Sequence, residues 1–175
     1  MDLQDFESQL LYFDIKMSEQ VEQLIQKAAQ SYASGKAEPF LLEAYRLESE
    51  NLSVLVALYR FYYYQHRHQD ALKIADRVMD IVGPKIFFPP KWQAIQFSHL
   101  SQGIMVSFTM VRFYLLALKG AAYLNLRLSR ISEGVAMLNK VIELDSKDRL
   151  GARSLLQAVG PAMVVDQKLA TASVN

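Results

Sequence analysis

Cysteine is absent from the 175 residues. Its absence excludes thiol catalysis, iron–sulfur clusters, thiolate zinc sites and a disulfide scaffold, and gives the expectation of a reducing, cytoplasmic setting. Glycine and proline are sparse, at seven and five, and no Asn-Gly or Asp-Gly pair occurs, so the tight hairpins that join alternating strands have no signal. A glycine-rich phosphate loop and a Gly-x-Ser-x-Gly elbow are both missing. Excess charge of either sign is also lacking: the formal net charge is +1. With no basic run and no glycine–aromatic motif, nucleic acid is not an expected partner. Histidine occurs only as His66, His68 and His99. The first two, two residues apart, are expected to point away from each other, and no acid stands at the spacing of a helical metalloprotease. Asp70, four residues after His66, reads as part of a helix start. The expectation is therefore no metal, no cofactor and no catalytic centre.

Apolar residues make up 51% and charged residues 21%, which suits one folded domain rather than a disordered chain. The chain opens Met1-Asp2-Leu3-Gln4-Asp5-Phe6-Glu7, acidic where an export signal is basic. Residues 103–118 form the one long apolar stretch, interrupted by Arg112 and closed by Lys119. That pattern predicts an enclosed core helix in preference to a membrane span.

The rest of the pattern is a succession of 3.6-residue stripes. Leu3, Phe6, Leu10, Phe13 and Met17 form one; Val21, Leu24, Ile25, Ala28 and Tyr32 form the next, with Ser18 as N-cap and Gly35 as stop. Pro39 opens a third helix, Asn51 caps a fourth, and a fifth runs from 69 to 82 and ends at Gly83-Pro84. Pro90 begins a short sixth through Trp92, Ile95 and Leu100, and a long seventh covers 109–126. Ser132 caps the eighth and Asp148 the ninth, which closes at Gly160-Pro161, leaving 161–175 as a frayed tail.

Two stretches carry a repeat of about 34 residues. Leu55, Leu58, Tyr59 and Tyr62 are followed by Ala71, Ala75, Val78 and Gly83; Lys119-Gly120-Ala121-Ala122-Tyr123-Leu124 leads into Glu133–Leu138 and Val141–Asp145. This phrasing resembles the tetratricopeptide repeat, Trp-x2-Leu-Gly-x2-Tyr then Ala-x3-Phe then Pro. Leu55 replaces the usual Trp, Tyr59 the usual Gly and Ser146 the closing Pro. The resemblance implies an all-α fold, a right-handed superhelical stack of antiparallel helix pairs within a single domain, 1–160. Its units are 18–51, 52–83 and 112–146, with an insertion at 84–108 and a capping helix at 148–159.

The same resemblance implies a function: a non-enzymatic adaptor, assembly factor or secretion-type chaperone holding a partner peptide or helix in a concave groove. Transferred by register, the groove positions are Glu22 and Gln26 in the first unit, Arg60, Tyr63 and Tyr64 in the second, and Tyr114, Lys119 and Asn125 in the last. The family's carboxylate clamp of Lys and Asn has no match at Glu22, Gln26, Arg60 and Tyr63. Tyrosine beside arginine suits a recognition hot spot.

Charge is unevenly placed, with ten acids and four bases in residues 1–50 and seven bases against Glu133 in 85–140. The basic middle fits an acidic partner segment, or the acidic amino end of another copy in a homodimer. The alternative function is a structural homo-oligomer whose groove is filled by a second copy or by its own 86–92 segment. Phe87, Phe88 and Trp92 in that segment, flanking Pro89-Pro90, either fold back over the helical core, the favoured expectation, or form a partner-facing patch.

Overall fold

The computed structural model describes residues 16–160, and among them no strand occurs. The protein is all-α: α1 (Glu19–Gln30), α2 (Glu38–Leu47), α3 (Leu52–Tyr64), α4 (His68–Lys85), a 3₁₀ turn (Trp92–Ala94), α5 (Phe97–Arg127), α6 (Ile131–Leu144) and α7 (152–160). The stripe at Leu3–Phe13 and the tail 161–175 lie outside the described residues. The chain divides into two compact units, with the boundary between Ile81 and Val82, inside α4.

The first three helix starts follow the sequence signals, whereas the helix expected from Pro90 is a 3₁₀ turn at Trp92–Ala94 followed by a separate start at Phe97. The Ser18 hydroxyl accepts from the Val21 N–H (3.4 Å), Pro39 lies in the first turn of α2, and the Asn51 side chain accepts from the Ser53 N–H (3.0 Å). In the first unit Val21, Ala28, Leu41, Ala44, Leu52, Leu55 and Leu58 are buried, together with Ala71, Ala75 and Val78 of α4. The apolar period thus produces the inward faces it predicts.

Helix ends differ. Four of them close in the same way, with the last carbonyls capped by a 6→1 and a 5→2 bond around one left-handed residue. After α3 the pair is Arg67 N–H to Tyr62 O (2.9 Å) and His66 N–H to Tyr63 O (3.0 Å), with His66 at φ 56°. After α4 it is Phe88 N–H to Gly83 O (2.9 Å) and Phe87 N–H to Pro84 O (3.3 Å), with Phe87 at φ 60°. After α5 it is Arg130 N–H to Asn125 O (2.8 Å) and Ser129 N–H to Leu126 O (3.1 Å), with Ser129 at φ 60°. Of the four, only the turn after α1 uses glycine, Gly35 at φ 73°. Helix α4 therefore does not stop at Gly83-Pro84. Proline is tolerated because the last turn loses just one ladder bond, and Phe87 is the true stop. That geometry turns Phe87 outward while Ile86 and Phe88 are buried and Trp92 is half-buried.

In the second unit α5 is broken at Ser107, whose backbone is extended (φ −163°, ψ 108°). The Ser107 hydroxyl accepts from the Met110 N–H (3.2 Å) and so caps a new helix from 108 onward. Eight residues of straight helix rise about 12 Å, yet a methyl added at Gly103 would lie 2.9 Å from Val111 Cγ2. The segment 97–106 thus folds back sharply on the helix that begins at 108. Beyond the break α5 packs antiparallel on α6, so closely at Gly134 that a Cβ there would meet Leu126 Cγ at 2.7 Å and Ala122 O at 2.9 Å. Arg130, not Ser132, occupies the N-cap position of α6. Asp148, at φ 49°, accepts from the Arg153 N–H (3.0 Å) and caps α7.

Left-handed backbone costs a non-glycine residue roughly 1–2 kcal/mol, and glycine loses about 0.5–1 kcal/mol in entropy on ordering. Phe87→Gly and Ser129→Gly should each raise unfolding free energy, by up to about 1 kcal/mol, and Gly35→Ala should lower it by a similar amount. Denaturant titrations at unchanged slope check the signs.

Candidate partner-binding groove

Spacing on α3 sets four side chains on one face: Ala57, Arg60, Phe61 and Tyr64. Opposite them Ile25, Ala28 and Ala29 of α1 and Tyr32 just beyond its end make a second wall, and Ala37 with Leu41 of α2 closes the floor. Between them lies an open groove of about 700 Å³ in the first unit. Small residues at 28, 29, 37 and 57 keep it hollow. Tyr32 meets Phe61 edge-on, centroids 6.1 Å apart. Tyr32 and Tyr64 are 41% and 48% exposed, a wet aromatic rim, and among the described residues Arg60 is the single charged lining residue.

Two fasteners hold these walls. Glu48, at the end of α2, accepts from the Ser18 N–H (2.9 Å) and from the Asn51 amide (2.7 Å), tying the start of α1 to the α2–α3 turn. Hydrogen bonds from Ser18, then from Asn51, hold its carboxyl below the ordinary carboxylate value. At the other end the Arg67 guanidinium reaches Glu38 (2.7 Å) and Asp70 (2.9 Å) and lies over the Tyr62 ring, 4.5 Å from its centroid. Hydrogen bonds from Lys73 and Arg67 lower the Asp70 carboxyl, while burial, then the Glu38 charge, raises the Tyr62 phenol.

The structure brings together only part of the set drawn from sequence. Arg60 and Tyr64 line the groove. Tyr63 does not: it is half-buried on the neighbouring face, stacked on Tyr59 with centroids 6.2 Å apart. Glu22 and Gln26 are exposed on α1, but the lining is Ile25 and Ala29. Three positions are corrected. Tyr114 is buried with its ring edge-on to Phe88 (4.9 Å). Lys119 is buried and its ammonium donates to the Leu150 carbonyl. Asn125 is buried and donates to Ala121 O (3.0 Å) and Met137 Sδ (3.5 Å). All three are internal fasteners of the second unit, and a partner has no access to them. Register alone places them outward, whereas α5 beyond its break is enclosed nearly all round.

Sequence reasoning misses Ile25, Ala29, Ala57 and Tyr32 as lining. The first three carry no chemistry that would single them out, and Tyr32 reads as part of a core stripe. The rings of His66 and His68, expected to point apart, meet edge-on at 6.0 Å, because His66 is left-handed.

A second groove, of about 370 Å³, opens in the other unit between the two halves of α5 and the loop after α6. The run expected to be enclosed is exposed here at Ile104, Met105, Val106 and Phe108, since the break at Ser107 lifts it out of the helix packing. By length and apolarity alone α5 is long enough to cross a membrane; half of its most apolar window is buried.

Fold and grooves define an all-α protein with open apolar clefts. No protein-family profile matches the chain, and no solved structure matches it. It is 51% identical, over 159 residues covering 91% of this chain and 89% of the relative, to an uncharacterised 19.8 kDa protein from the nifW 5′ region of Azotobacter chroococcum mcd 1. The chain belongs to the same family as that protein.

Glu48 gives a pH test. Its folded value is depressed, so its contribution is present above the ordinary carboxylate value and is lost as pH falls through the folded value. Glu48→Gln should cost about 1 kcal/mol at neutral pH and flatten the acid limb of the stability profile. Denaturation midpoints at neutral and acid pH read both effects.

Proposed function

We propose that this protein is a non-enzymatic interaction module that takes a helix or extended peptide of a partner protein into the groove of its first unit. The observation that carries the reading is the groove itself: about 700 Å³ of open, mostly apolar surface rimmed by Tyr32 and Tyr64, with one guanidinium at Arg60. A helix in a groove is recognised by apolar anchors at i, i+3, i+4 and i+7, with few polar contacts. Tyrosine and arginine are the side chains that most often concentrate binding energy. On this reading α1–α2 and α3–α4 are two degenerate tetratricopeptide-like hairpins, and α1 and α3 are the leading helices that face the ligand. The role is that of an adaptor, assembly factor or secretion-type chaperone.

The test uses a photo-reactive phenylalanine at position 64 of the full chain, in the native cell. It should yield a discrete adduct with a second polypeptide. Ala29→Glu and Ala57→Glu place a carboxylate on the groove walls and should abolish that adduct, while the unfolding free energy changes by no more than surface substitutions change it, about 0.5 kcal/mol. Arg60→Ala with Tyr64→Ala should weaken binding of the captured partner at least about tenfold. No polypeptide adduct, or an adduct unaffected by Ala57→Glu, rejects the reading.

A further inference from the structure

The second groove has an electrostatic character the first lacks. Its floor is apolar, built from Leu100, Ile104, Phe108, Val111 and Leu115, and its edge carries Arg112, Lys147 and Arg149. Among the described lining residues Asp145 is the one acid, and its Oδ2 already accepts from the Leu150 N–H (2.8 Å). Arg112 Nε is buried with no hydrogen-bond partner among the described residues, a cost that an acceptor brought by a ligand would remove. Beside the groove Phe97 and Met105 are 72% and 89% exposed. The surface therefore asks for an occupant that is apolar on one side and anionic on the other.

One segment of this chain has that chemistry. Residues 1–15 contain Asp2, Asp5, Glu7 and Asp14 and no lysine or arginine, with Leu3, Phe6, Leu10 and Phe13 at helical spacing. The other end of the chain does not match, since residues 161–175 carry Asp166 against Lys168. We infer that the groove of the second unit receives the acidic amino-terminal segment, residues 1–15, of a second copy of this chain. Apolar side chains on the segment fill the floor, and its carboxylates meet Arg112, Lys147 and Arg149. Complementary charge across such a contact sets register and speeds encounter, and it makes the association salt-sensitive. This site is separate from the groove of the first unit, so either assignment stands or falls without the other.

Light scattering of the full chain over a wide concentration range in low salt should show self-association that weakens as salt rises. Lys147→Glu with Arg149→Glu should weaken it by about tenfold or more, and so should Asp2→Lys with Asp5→Lys. Combining the two charge-reversed pairs should restore much of the loss. A labelled peptide of residues 1–15 should bind a chain that lacks them, and Lys147→Glu with Arg149→Glu should weaken that binding to a similar degree. The inference is overturned by a chain that remains monomeric throughout, by association that is indifferent to the charge pairs, or by loss of association on removing residues 161–175 instead. Groove-dependent sedimentation of a monomeric chain with phosphatidylserine vesicles also overturns it, by assigning the basic edge to a lipid surface.

Discussion

The last carbonyls of a helix have no partner within it, and at the ends of α3, α4 and α5 this chain satisfies them within two residues by passing one residue through left-handed backbone. That closure shapes both units, because after α3 and after α5 the chain hands over within a few residues to the next helix. His66 shows the coupling most directly. Its left-handed turn brings the Arg67 N–H onto the Tyr62 carbonyl (2.9 Å), and Arg67 then sets its guanidinium over the Tyr62 ring and onto Glu38 and Asp70. A single residue thus completes the backbone of α3 and ties α2 to α4. The ion pairs are half-exposed, so each contributes modestly. Their effect is to fix direction: with α2 held at Glu38 and Glu48, the small residues of α1 and α3 face each other across an open groove.

The second unit solves a related problem inside a helix. Continuing α5 straight through Ser107 would keep an unbroken ladder, but it would carry Leu100 and Gly103 away from Phe88 and Val111. Breaking it leaves donors at the new start without partners, and the Ser107 hydroxyl takes the Met110 N–H in exchange. Gly103 then allows the returning segment to approach, as Gly134 does where α6 crosses. Beyond the break the helix is enclosed, so its polar residues have to be satisfied from within. Lys119 reaches the Leu150 carbonyl, and Asn125, besides reaching Ala121 O of its own helix, reaches Met137 Sδ of α6. Each ties α5 to a definite neighbour, and removing the partner would leave a buried donor that costs about 1–3 kcal/mol.

Legibility in the sequence divides along these physical lines. Helix starts are readable because Ser18, Pro39 and Asn51 act through side-chain chemistry that only a few residue types possess. Apolar faces are readable because burial repeats with the helical period. Ends are not, because residue preference points to glycine for the left-handed position, and it falls instead on His66, Phe87 and Ser129, exposed residues whose types do not mark them for it. The break at Ser107 is a lone hydroxyl in an apolar run, a pattern that a continuous buried helix shares. For the groove of the first unit, Arg60 and Tyr64 are legible through their chemistry, whereas Ala29 and Ala57 matter by what they leave empty. Tyr114, Lys119 and Asn125 illustrate the converse, since tyrosine, lysine and asparagine signal recognition on a surface and fastening in a core, and sequence position does not distinguish the two.

The two grooves also differ in how they would discriminate among ligands. In the first unit a hydrophobic channel with one guanidinium selects by shape, and shape in an apolar pocket separates similar ligands by only about 1–3 kcal/mol per methylene. In the second, three bases border an apolar floor, and a ligand without carboxylates would bring them no opposite charge. A neutral helix that suits the first groove is therefore poorly matched to the second, and an acidic one suits the second better than the first. If both proposals hold, charge placement would separate the two grooves by a device that packing alone does not supply.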